Sequence, residues 1–115
     1  MNTTFGEDDM DDNMPWMGID FGTCNTSVAL WHEGRSQIVP NKAGKSVTPS
    51  VVAINAETGK VTVGQKAISM SVANPANTIF DVKRLLGKKF DDELIIKDKE
   101  QWPFTIVKDA ENNLP

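Results

Sequence analysis

The sequence has one cysteine, Cys24, and so nothing with which to close an intrachain disulfide. A disulfide-stapled secreted scaffold is excluded, and a reducing compartment fits. No run of about 18 apolar residues occurs, so no membrane-spanning helix is expected. The first 16 residues, MNTTFGEDDMDDNMPW, contain no base. A secretory signal needs a basic start followed by an apolar stretch, and a mitochondrial transit peptide needs arginine; neither pattern is there. The expected location is the cytoplasm, with the nucleus not separated from it. The single histidine, His32, has no cysteine or carboxylate at metal-ligand spacing, which leaves it as a strand or turn residue.

The chain has 115 residues, enough for one small domain. Its net charge is −4, unevenly spread. Five of the 16 acidic residues, Glu7, Asp8, Asp9, Asp11 and Asp12, lie in residues 1–16, which leaves 11 acids against 12 bases in the rest. The chain therefore divides into an acidic tail, 1–16, expected to be solvated and disordered, and a nearly neutral body, 17–115. No nucleic-acid partner follows from that charge, and the mixed signs around Lys83, Arg84, Lys88 and Lys89 point the same way.

Along the body, MGIDF (17–21), TSVALWHEG (26–34) and RSQIVP (35–40) read as an antiparallel meander, with turns at Gly22-Thr23 and Glu33-Gly34. SVVAIN (50–55) and KVTVG (60–64) read as a hairpin across AETG. Residues 65–74 have helical character up to Pro75. TIFDVKRLLG (78–87) carries a capping pattern, Thr78 with Asp81, and an apolar stripe, Ile79, Val82, Leu85 and Leu86, with Gly87 placed as a helix stop. A helix is expected there and a second over 90–101. FTIVKDAENNLP (104–115) reads as a strand and a turn. Trp31 and Trp102 read as packing residues. A meander of three strands leaves an open edge, so the chain reads as part of a larger fold.

One stretch carries chemistry. In GIDFGTCNTS (18–27) a tight turn follows a short apolar strand. Such a turn aims successive backbone N–H groups into one hollow, and glycine permits the close approach. Gly22, Thr23, Cys24 and Asn25 would line a phosphate site. Asp20 beside it implies a cation between carboxylate and phosphates, Mg²⁺ with its waters. The same D-x-G-T pattern fits a plain hairpin, and the residues alone leave both open. Lys83 is either a solvated surface lysine or a group that stabilises charge on a transferred phosphoryl.

GIDFGTCNTSVALW, NKAGKSVTPSVVAI, VGQKA, NPANTIFDVKRLLGKKFDD and WPFTIV occur in this order, and together they resemble the 70-kilodalton heat-shock chaperone family from about residue 17 to residue 110. The resemblance implies an α/β fold of the actin-like ATPase (ribonuclease H-like) kind, of which this chain would supply the opening strands of the first lobe and most of its upper subdomain. It implies ATP/ADP and Mg²⁺ as cofactors, and matches Asp20 through Asn25 to the first phosphate loop. Asp20 would reach the metal through water, with Gly22, Thr23, Cys24 and Asn25 at the phosphates. Lys83 would match the lysine needed for hydrolysis, so the catalytic pair is Lys83 and Asp20. Many members have a hydroxyl residue where this chain has Cys24, which places an oxidisable thiol beside the phosphates. The implied partners are unfolded polypeptides, bound by a peptide-binding domain that these residues do not include, together with J-domain co-chaperones and nucleotide-exchange factors. ATP hydrolysis is expected of the full-length family member in protein folding and stress response. The alternative is a short, non-catalytic module that binds co-chaperones or exchange factors. Sugar kinases share D-x-G-T but not NTIFDVKRLLGKKFDD.

Overall fold

The computed structural model describes residues 15–115, so the tail expected over 1–16 lies almost wholly outside the described residues. The first strand, β1 (Trp16–Phe21), begins one residue inside that stretch. It runs antiparallel to β2 (Asn25–His32), with Asp20 opposite Ser27 and Phe21 opposite Thr26. Then β3 (Arg35–Ile38) returns along the far half of β2. Glu33 and Gly34 join them with φ of 52° and 74°. Two positive φ values in a two-residue connection match the right-handed twist of the flanking strands, which is why the chain reverses here. The meander is therefore as the alternation predicts.

β3 covers only residues 29–32 of β2, and the near half of the same edge is taken by β4 (Thr48–Pro49), which pairs with Asn25 and Thr26. The chain between β3 and β4 forms a loop organised by Asn41. Its Oδ1 accepts from the N–H groups of Ala43 and Lys45, and its Nδ2 donates to Val47 O and Thr48 Oγ1. β4 thus returns the chain to the start of β2, beside the glycine turn.

A second sheet has the order β6-β5-β7, all antiparallel: β5 (Val52–Ile54) lies between β6 (Val61–Val63) and β7 (Thr78–Ile79). Helix α1 (Gln65–Met70) packs on it and buries Ala67, and helix α2 (Glu93–Asp98) buries Ile95. The side chain of Asp92 caps α2 by accepting from Leu94 N–H at 3.0 Å. Ala53, Ala67, Ile95, Trp102 and Phe104 form the core. Trp102 stacks on Phe104 at 5.5 Å between centroids, and Phe80 meets Phe104 edge-on. All of this core belongs to the second sheet, its helices and the chain that follows them.

Three expectations are corrected. No α-helix spans 78–87. Thr78 pairs with Ala53 in β7, and its hydroxyl donates to Asn74 O at 2.7 Å instead of capping a helix. Asp81, the other half of the capping pattern, sits at φ 59°, a left-handed conformation that ends any helix passing through it. What remains is a single tight turn at Val82–Arg84. Gly87 does take a positive φ, 71°, as a chain-reversing residue. Second, no strand forms over 104–115; the segment is irregular and closes on itself through Asp109 N–H to Leu114 O. Third, Trp31 is half exposed, whereas Trp102 is buried as expected.

Candidate functional site

The loop between β1 and β2 is closed by Gly22 N–H donating to Asn25 O at 3.0 Å. A Cβ added at Gly22 would lie 2.4 Å from that same carbonyl oxygen, so only glycine fits. Among the described residues, the N–H groups of Thr23 and Cys24 have no acceptor. The loop thus offers two adjacent backbone donors on a partly open surface, the donor set that an oxyanion takes.

Three carbonyls, those of Phe21, Gly22 and Cys24, are occupied by groups from later in the chain. Phe21 O accepts from Lys83 Nζ at 2.7 Å, a contact 62 residues apart in sequence. Gly22 O accepts from Ser50 Oγ at 2.8 Å, and Cys24 O from Ser50 N–H at 2.8 Å. Ser50 Oγ also lies 2.9 Å from Thr26 Oγ1. The tight turn at Val82–Arg84, which replaces the expected helix, is what presents Lys83 to the end of β1.

Of the expected site residues, Gly22, Thr23, Cys24 and Asn25 form one loop, and Lys83 reaches the carbonyl at its start. Asp20 lies two residues before Gly22 on β1, exposed, and pairs across the ladder with Ser27. Side chains alternate along a strand, so Asp20 faces the opposite side of the sheet from Phe21. Among the described residues no Lys, Arg or His lies within ion-pairing distance of it. Cys24 is an exposed free thiol. His32 is exposed and stands 4.0 Å from Glu33. No group of three or more His, Cys, Asp or Glu among the described residues is arranged to hold a metal ion directly. The role of Ser50 carries no signal in the sequence, since it reads only as the first residue of the strand expected over 50–55 and its partners lie 24 and 28 residues away.

The residues present fit a phosphate-bearing ligand. The turn is closed so tightly at Gly22 that a Cβ would strike Asn25 O, the Thr23 and Cys24 donors are free, and an ammonium is tethered at the loop's rim. A lone carboxylate close by fits a hydrated divalent cation, held through its waters and not by direct ligation. An apolar groove of about 410 Å³ runs alongside, lined by Phe21, Val28, Val39, Pro49 and Val63. The loop donors do not line it; Thr23 is half-buried and Cys24 exposed.

A mixed α/β unit built on antiparallel sheets, with a glycine loop of free donors between its first two strands, is the class that fold and site define. The sequence pattern of the Hsp70 protein family matches residues 16–114. The chain belongs to that family. It is 42% identical over 96 residues to a heat shock protein of Pyricularia oryzae, an alignment that covers 84% of this chain and 15% of that protein. The chain thus spans less than a sixth of the length of this relative. Among the described residues, no helix is long and apolar enough to cross a membrane.

Proposed function

We propose that this chain supplies the first phosphate loop and the hydrolytic lysine of an ATP-dependent molecular chaperone of the 70-kilodalton heat-shock type, and that it represents part of an actin-like ATPase domain. The observation that carries the reading is the meeting of Lys83 with the Gly22 loop across 62 residues of sequence. A free-donor loop alone would suit any anion; a lysine brought to its rim gives phosphoryl transfer the charge it needs.

The N–H groups of Thr23, Cys24 and Asn25 bind and orient the phosphates. Gly22 keeps the loop low enough for them to approach. Asp20 would hold Mg²⁺ through its bound waters, and the ion would supply neutralisation of phosphate charge and bound water there. Lys83 retains N–H donors beyond the one it gives to Phe21 O, and these are directed to charge developing on the transferred phosphoryl. Coupling of this cycle to unfolded polypeptides, J-domain co-chaperones and exchange factors, in the cytoplasm, belongs to the same proposal and rests on family membership. A second reading, a non-catalytic module that binds co-chaperones or exchange factors, is favoured by one observation, the apolar side chains left uncovered on β1–β3.

The test is a chimera in which residues 16–114 replace the matching part of the Pyricularia relative. ATP hydrolysis is expected. Lys83→Ala in that chimera should lower turnover by about 100-fold or more while nucleotide is still bound. Turnover equal to that of the unsubstituted chimera would remove Lys83 from catalysis.

A further inference from the structure

One free donor of the loop, the Thr23 N–H, points where it does because something holds the carbonyl of the same peptide group on the other side. A peptide group is planar and trans, so its C=O and N–H point in opposite directions. Gly22 O is bound by Ser50 Oγ at 2.8 Å, which turns the Thr23 N–H of that peptide group away from Ser50. Cys24 O is bound by Ser50 N–H at 2.8 Å, which turns the Asn25 N–H away in the same sense. One residue thereby fixes two of the loop's peptide planes. The Ser50 hydroxyl has a single proton, given to Gly22 O, so at 2.9 Å Thr26 Oγ1 must donate to Ser50 Oγ. That donation fixes the hydroxyl rotor. Ser50 in turn stands directly between β4 and β5 and is anchored on both sides by the chain.

We propose that Ser50 is the positioning residue of the phosphate loop: it clamps the Gly22 carbonyl so that the Thr23 N–H is preorganised toward an oxyanion, and it holds the Cys24 carbonyl so that the end of the loop stays fixed to β4. It touches no phosphate itself. The proposal rests on the phosphate-loop reading for its ligand, but the clamp is a property of the free chain. The two halves of the clamp are chemically separable. Substitution of Ser50 by alanine removes the hydroxyl and leaves the backbone N–H to Cys24 O in place. The Gly22–Thr23 peptide group should then loosen while the Cys24–Asn25 group stays held.

The experiment is amide NMR on the whole 115-residue chain, as wild type, Ser50→Ala and Ser50→Thr. Without ligand, the steady-state heteronuclear NOE at Thr23 should fall in Ser50→Ala and stay at the wild-type value in Ser50→Thr, which keeps a hydroxyl. The Ala53–Thr62 pairing of the second sheet reports that each variant is folded. On titration with Mg²⁺ and inorganic tripolyphosphate, wild type should shift at Thr23 and Cys24. Ser50→Ala should bind about tenfold more weakly, on the scale of one lost hydrogen bond, with the Thr23 response reduced more than that of Cys24. Unchanged order at Thr23 in folded Ser50→Ala overturns the clamp, whatever the titration gives. Absence of any tripolyphosphate response in wild type overturns the phosphate-loop reading instead, and the order at Thr23 then decides the clamp alone.

Discussion

The two sheets of this chain are built from similar residues and end in different states. In the second sheet, the helices and the chain after them, Ala53 and Ile95 are 0% exposed, and Trp102 and Phe104 are buried as well. In the first, Trp16 is 56% exposed and Ile19 61%, on opposite faces of the same strand. Met17, Phe21, Trp31 and Ile38 are exposed beside them. The first sheet is held by its ladder and its turns, the second by burial. A sheet with apolar residues bare on both faces gains little from the hydrophobic effect as it stands, and it is the kind of surface that another layer covers. The consequence for the site is direct. The Gly22 loop lies at the end of the poorly packed sheet, yet the groups that fix its carbonyls, Ser50 and Lys83, come from the chain that leads into and out of the packed one. The packed region lends its order to the loop.

The largest expected effect breaks this contrast at its strong side. Ile95→Ala removes a fully buried side chain and should destabilise the packed region by about 3 kcal/mol. Ile19→Ala, on the bare sheet, should change stability by less than about 1 kcal/mol. Urea unfolding followed at the Trp102 indole N–H resonance measures both. Equal effects would mean that the first sheet is buried in solution and that the contrast is not real.

Gly22→Ala comes next and acts on the weak side. Its Cβ would meet the Asn25 backbone oxygen at 2.4 Å, and neither atom belongs to a flexible side chain that could swing aside. The hairpin end should open at a cost of about 2 kcal/mol, in the range of overpacking. Amide exchange should accelerate across Phe21–Thr26 and stay unchanged across Ala53–Thr62. Exchange that accelerates equally in both ladders would show the two sheets to be one cooperative unit.

What is legible in the sequence follows the same division. The meander and the β5–β6 hairpin are announced by local signals, alternation and turn residues at Glu33-Gly34 and Gly59, and local signals decide hairpins. The glycine loop is readable for that reason. The stretch 78–87 is not. Its capping pattern and apolar stripe are valid helix signals, but Thr78 gains a strand partner in Ala53 and Asp81 turns left-handed, so pairing with a distant strand overrides the local preference. Lys83 stands out in the sequence by resemblance and by its type of chemistry. Its actual position, at Phe21 O, depends on that overridden turn. Ser50 is invisible in the sequence because its role is made entirely of contacts more than 20 residues away.

The smallest expected effect asks how far the packed region extends. Beyond Phe104 the chain forms no strand, but Asp109 accepts from the N–H groups of Glu111 at 2.7 Å and Asn112 at 3.2 Å, and Phe90 N–H reaches Asn113 O at 2.9 Å. The Glu111 N–H first, and then that of Asn112, hold the Asp109 carboxyl below its ordinary value of 3.8. A carboxyl whose value is lower in the folded chain than in the unfolded one stabilises the fold above the ordinary range. That contribution is lost as pH falls through 3.8 toward the folded midpoint. Asp109 is fully exposed, so the effect on stability is slight, and it is the titration itself that is informative. A carboxyl ¹³C titration of Asp109 with its midpoint below 3.8 would place the 109–114 turn within the ordered structure that Phe90 and Phe104 anchor. A midpoint at 3.8 would mean that the turn is not held, and that the order available to the Gly22 loop comes from the β5–β7 sheet, α1 and α2 alone.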